Sequence, residues 1–187
     1  MASAKREHLV DTALDLFYQG GFHATGVDEI IEKAGVARMT LYNHFKSKDE
    51  LILATLRKRD KKFRNWFMRT VERLGKAPEG RLLAIFDTLE EWFTGKEYSG
   101  CMFINASAEF ANPKDPIKMA ASEHKNLVLK YVSELAMAAG ALRPGELADG
   151  IMLLMEGAIV MSYVTGDKKA AARGKKAAKI LIQQSRL

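Results

Sequence analysis

The chain has 187 residues, of which 48% are hydrophobic and 28% charged, with 4 prolines and 1 cysteine. That balance is ordinary for a folded protein, the single cysteine excludes an intramolecular disulfide framework, and the weight of Ala, Leu, Met, Lys and Glu favours helix. The net charge of +6 suits a polyanionic partner, although a basic membrane-surface protein would carry the same sign. With no alternating β-branched run to make a strand, the expected class is all-α, with about nine helices.

The first helix is expected over residues 4–19, with Leu9, Ala13, Leu16 and Phe17 on one face and Gly20-Gly21 as the stop. Thr25 and Asp28 read as the cap and acid of a capping box that starts a short second helix. Val27, Ile30, Ile31 and Ala34 form its inward stripe, and Gly35 closes it. A third short helix follows over 38–45, with Leu41 and Phe45 inward. Ser47-Lys48-Asp49-Glu50 is a second capping box, opening a helix that runs to Leu74, roughly 40 Å at ~1.5 Å per residue.

Five more helices follow. Pro78 starts one that ends near Gly95, and a short one runs from Met102 to before Asn112-Pro113. Asp115-Pro116 starts the next, with Gly140 as its stop; Pro144 starts another that ends at Gly166. Asp167 is the expected cap of a last helix reaching about Gln184. Glu7, Asp11 and Asp15 interrupt any signal-peptide core, and the apolar stretch 151–164, broken by Glu156, reads as too short to span a bilayer. A cytoplasmic protein without a membrane partner is the expectation, and no metal or cofactor is expected.

The functional information is densest over residues 25–51. Two short helices joined by a tight glycine-containing turn form a helix-turn-helix, whose second helix enters the major groove of double-stranded DNA. Arg38 at the start of that helix can donate two hydrogen bonds to guanine O6 and N7. Asn43 can pair with an adenine edge, and Met39 can touch a thymine methyl. Thr40, Tyr42, His44 and Lys46 place donors at the flanks, where phosphates lie. Thr25 and Lys48 each sit at a helix start, where backbone N–H groups and the dipole favour a phosphate. The basic run 57–64 reads as a solvated helix face in preference to a second DNA contact, and Lys5 and Arg6 as contacts to the flanking DNA backbone.

Thr25, Gly35-Val36, Thr40-Leu41-Tyr42, His44-Phe45, Ser47-Lys48 and Leu51 together resemble the tetracycline-repressor (TetR) family. The resemblance covers roughly residues 5–56. It implies an all-helical homodimer with a DNA-binding head, residues 1–46, and a ligand-binding and dimerisation body, residues 47–187. It implies phosphate contacts at Thr25, Thr40, Tyr42, His44 and Lys48, and base reading at Arg38, Met39 and Asn43. In this family the long fourth helix links the effector pocket to the head. Ala37 replaces the usual serine cap and Met39 a frequent glycine, so the operator sequence stays open.

A homodimeric repressor released from a palindromic operator by a small apolar or aromatic effector is therefore expected. Trp66, Phe67, Phe86, Trp92, Phe93, Cys101, Phe103, Phe110 and Met155 are the candidate pocket lining, although an aromatic-Met set at helical spacing is more often plain core. Leu147, Ile151, Leu154, Ala158, Ala178 and Leu181 are the candidate dimer surface. Glu156 needs a partner, and a Lys or Arg of the last helix is the expected one. Cys101 reads as a packing residue or, alternatively, as a sensor of electrophiles or oxidants. A cysteine-dependent enzyme with His124 as base is the remote alternative, since no Cys-His-Asp pattern is visible.

Overall fold

The computed structural model describes residues 2–185, and among these there are nine α-helices and no strand. They are α1 (Ala2–Gly20), α2 (Val27–Ala34), α3 (Arg38–Tyr42), α4 (Lys48–Leu74), α5 (Pro78–Thr94), α6 (Met102–Glu109), α7 (Pro116–Ala138), α8 (Pro144–Thr165) and α9 (Ala170–Gln184). Proline stands at the first position of α5, α7 and α8, where its missing N–H is no loss. Asp115 Oδ1 accepts from the Ile117 N–H at 2.8 Å, so the expected cap of α7 forms. The expected Asp167 cap is displaced: its Oδ1 accepts from Lys169 N–H at 2.9 Å, one residue before α9 begins. That bond shapes the turn into α9 without capping the helix itself.

The chain packs as two compact units, drawn differently from the functional division expected at residue 46. One holds the chain up to Lys62 together with residues 101–124; the other holds residues 63–100 and 125–187. In the first unit Leu9, Ala13, Phe17, Phe22, Ile30, Leu41, Phe45 and Leu51 are buried on the facing sides of α1 to α4. Part of the basic run on α4 is engaged within the unit, so it is not simply a bare solvated face. Lys58 pairs with Glu7 and with Asp11 at 2.6 Å, Lys62 reaches Asp11 at 3.2 Å, and the Arg59 guanidinium lies 4.3 Å over the Tyr18 ring. These contacts fasten α4 to α1.

In the second unit α8 packs along α9, and α5 packs on both. Phe86 of α5 approaches α9 so closely that a Cβ on Gly174 would stand 2.8 Å from its ring. Leu147, Ile151, Ala158 and Ala178 lie at 5% exposure or less inside this unit's own α8–α9 seam. The outward stripe of α8 is a different one, with Leu153 and Val164 at 75% and 73% exposure. Two apolar stripes on one helix are indistinguishable by periodicity alone, and burial separates them. Leu154 and Leu181 are half-buried.

Two further expectations change. Glu156 pairs with Lys125 of α7 through both oxygens at 2.7 Å, not with the last helix. The apolar stretch extends back to Pro144, so α8, at 22 residues, is long and apolar enough to cross a membrane by length and composition. Much of that helix is instead committed to the α8–α9 and α5–α8 contacts.

Candidate nucleic-acid interface

Local backbone signals build the helix-turn-helix. Gly35 ends α2 with φ +62°, and the N–H groups of Gly35 and Val36 return to Glu32 O at 3.1 Å and Ile31 O at 3.2 Å. This left-handed stop satisfies the last carbonyls and redirects the chain in three residues. Arg38 then begins α3 directly after Ala37, which supplies no side-chain cap. Leu41 is fully buried and Phe45 2% exposed, so the opposite face of α3 is turned outward. Arg38, Met39, Tyr42 and Asn43 are exposed, with Met39 at 70%.

The third helix is shorter than expected, ending at Tyr42 with Asn43 as its C-cap. Phe45 turns back into the core and Ser47 must start α4, which leaves no room for another helical turn. Thr40, His44 and Lys48 are half-buried, while Lys46 is exposed. The second capping box forms: Ser47 Oγ accepts from the Glu50 N–H at 3.2 Å. The Glu50 carboxylate reaches back one residue further than expected, to the Lys46 N–H at 2.7 Å.

Thr25 behaves differently from the expectation. It is 3% exposed, and its hydroxyl donates to Gly21 O at 2.8 Å and Leu16 O at 3.4 Å. Gly26 is the N-cap of α2 and carries no side-chain cap. The threonine hydroxyl therefore ties the α1–α2 turn to the end of α1 and does not cap α2. Lys48 donates to His23 O at 3.3 Å, which holds its ammonium beside the same turn. Arg38 is engaged as well, donating to Asp28 of α2.

The candidate pocket residues fall into both units. Phe63 gathers Trp66 at 5.7 Å, Phe67 at 5.8 Å and Trp92 at 4.9 Å between ring centroids, and Phe93 lies 6.0 Å from Trp92. Phe67, Phe86, Phe93 and Met155 are at or below 3% exposure. Cys101, Phe103 and Phe110 belong to the first unit. Phe103 stacks on the His124 imidazole at 3.7 Å, and Phe110 packs on Phe22 and His23. Cys101 precedes α6 and is 6% exposed, so a reagent would need local opening to reach its sulfur. His124 is committed to Asp60, with Nδ1 and Oδ1 2.8 Å apart.

Sequence reasoning missed this His124–Asp60 pair and the Glu109 carboxylate, which accepts from the Phe22 and His23 N–H groups. The partners lie 64 to 87 residues apart, and no local pattern announces such contacts.

An all-helical chain with an exposed, doubly anchored third helix of this kind defines a helix-turn-helix protein. Residues 9–55 match the family described as "Bacterial regulatory proteins, tetR family", and residues 78–178 match "Tetracyclin repressor-like, C-terminal domain". The chain belongs to the TetR family. Among solved structures it is similar to SCO4454, a TetR-family transcriptional regulator from Streptomyces coelicolor, at 28% identity and a TM-score of 0.90. That likeness covers 99% of this chain and 97% of the other.

Among curated relatives, the transcriptional activator FasR of Mycolicibacterium smegmatis is 46% identical over 54 residues. That match spans 29% of this chain and only 25% of FasR. The transcriptional repressor NemR of Escherichia coli is 28% identical over 134 residues, 69% of this chain and 65% of NemR.

Proposed function

We propose that this chain is a cytoplasmic, homodimeric transcriptional regulator that binds a palindromic operator through α3 and leaves it when a small apolar or aromatic effector fills the body. The observation that carries the reading is the outward face of α3, with Arg38, Met39, Tyr42 and Asn43 exposed over the buried Leu41 and Phe45. A rigid helix presenting a guanidinium and a carboxamide matches the donor and acceptor edges of the major groove. Lys46 and Lys48 supply cations at its flank for phosphate, and the start of α2 after Gly26 offers backbone N–H donors.

Dimerisation is assigned to the outward α8–α9 face, where Leu153, Val160, Val164 and Ile180 are exposed. Two heads placed about 34–36 Å apart would read successive major grooves on one side of the duplex. The aromatic cluster around Phe63, Trp66 and Trp92 supports an apolar or aromatic effector, bound more tightly in the conformation whose heads are wrongly spaced. Repression is the preferred direction of control.

Selection of bound duplexes from a random library, with native mass spectrometry of the protein alone, tests the reading. Enrichment of an inverted repeat bound by a dimer supports it. Failure to enrich any sequence at low salt, or a monomer bound to one half-site, counts against it.

A further inference from the structure

Glu109 ends α6, and its carboxylate leaves that helix to hold the turn between α1 and α2. Oε1 accepts from the Phe22 N–H at 2.9 Å, and Oε2 accepts from the His23 N–H at 2.6 Å. His23 Nδ1 also lies 3.2 Å from Oε2. Two successive backbone N–H groups converging on one anion form a concave cradle, and charge-assisted bonds of this kind are stronger than neutral ones. Gly21 makes the cradle possible: its φ of +84° turns both N–H groups the same way, and a Cβ there would stand 3.2 Å from Oε1. Phe110, the next residue, covers the same pair, with its ring 4.8 Å from the His23 ring and 6.0 Å from Phe22.

The far side of the same turn carries the phosphate edge. Thr25 donates to Gly21 O at 2.8 Å, and Lys48 donates to His23 O at 3.3 Å. Residues 21–23 therefore form a hub, gripped by the end of α6 on one side and holding the starts of α2 and α4 on the other.

We propose that Glu109 is a positioning residue for DNA binding: it fixes residues 21–23 and, through them, the Lys48 ammonium and the first N–H groups of α2. This rests on the DNA-binding reading and deepens it. It couples the end of α6 to the DNA-binding edge within the first unit. A displacement of the end of α6 is then read at the phosphate edge with no change in α3 itself.

The test uses the full chain, a duplex that the unaltered protein selects from a random library, and amide hydrogen exchange. In Glu109→Ala the Phe22 and His23 amides are expected to exchange at least about tenfold faster, while amides within α1 and α8 keep their rates. Affinity for the selected duplex should fall about tenfold, equally for its sequence variants. Glu109→Gln keeps an acceptor oxygen but not the charge, and should fall between the two. Glu109→Ala and Lys48→Ala should together cost less than the product of their separate effects, because one acts through the other.

Unchanged exchange at both amides overturns the proposal, as does faster exchange with unchanged affinity or a fully multiplicative pair of variants. If Glu109→Ala does not fold, the Glu109→Gln comparison carries the same criteria. Should the unaltered chain select no duplex while both amides remain protected, the DNA-binding reading itself fails, and the positioning role falls with it.

Discussion

Arg38, the first residue of α3, donates its guanidinium to the Asp28 carboxylate of α2, and both side chains are mostly exposed. An ion pair this exposed contributes little stability, about 0–1 kcal/mol, so Arg38 can leave Asp28 for a guanine edge at small cost. Arg38→Ala is expected to relax preference at one base position by about 1–3 kcal/mol while other positions keep theirs. Asp28→Asn, which removes the competing carboxylate, should raise affinity and keep or sharpen the preference at that same position. Binding measured across single-base operator variants checks both; uniform weakening by Arg38→Ala would remove its base-reading role.

Lys48 and Tyr42 flank the base readers, so their effects should be independent of sequence. Lys48→Ala is expected to weaken binding to every duplex and to lower the slope of log affinity against log salt by about one unit. Tyr42→Phe should weaken binding uniformly and leave the slope unchanged, since it removes a neutral donor. Titrations at several salt concentrations separate the two.

Burial lifts the Asp11 carboxyl, but hydrogen bonds and charge from Lys58 and Lys62 outweigh it and hold its pKa below 3.8. For Lys58, burial lowers the ammonium, and Asp11 and Glu7 outweigh it to raise its pKa above 10.5. A depressed carboxylate stabilises the fold above its unfolded pKa and loses that contribution as pH falls through the folded value. A raised ammonium stabilises below its unfolded pKa and loses that contribution as pH rises through the folded one. Asp11→Asn should therefore cost a constant amount, less than about 1 kcal/mol, between these limits, and the cost should vanish in acid. Denaturant melts across pH check the plateau.

Tyr131 has a buried hydroxyl without a hydrogen-bond partner, and burial, aided by the Glu72 charge, pushes its pKa up to about 12. Tyr131→Phe is expected to be neutral or stabilising by up to about 1 kcal/mol, because it removes an unsatisfied polar atom. The raised pKa means the folded state resists ionisation, so the parent loses stability from the unfolded value of 10.0 up toward 12. The variant has no such loss. Its advantage should widen as pH rises through that window, and a flat difference would count against the burial account.

Cys101 is buried, and its alkylation in the folded protein should be slow and limited by local opening. Rapid labelling that releases DNA, and is abolished in Cys101→Ser, would instead support the electrophile-sensor reading. Labelling rates in folded and unfolded protein decide between them.

Much of the fold was legible because helix ends are written locally. Gly35, Pro78, Pro116, Pro144 and Gly166 act on the backbone within a few residues, and the helices end where they predict. The helix-turn-helix was legible for the same reason, since Leu41 and Phe45 decide which way so short a helix faces. The errors share the opposite origin. Thr25 looked like a cap because its local pattern allows one, yet in the packed unit the nearer acceptors are carbonyls at the end of α1. Glu156 needed a cation, but only packing placed Lys125 closer than the last helix.

By itself, then, the sequence determined an all-α chain, the positions of its helices and a TetR-type head with its outward α3. Tertiary structure alone decided which apolar stripe of α8 faces inward, that Lys58, Arg59 and Lys62 of α4 contact α1, and that Glu109 grips the α1–α2 turn. The physical reason is range. Caps, glycines and prolines act through backbone geometry over one helical turn, whereas side-chain partners are chosen by which surfaces burial brings together across tens of residues.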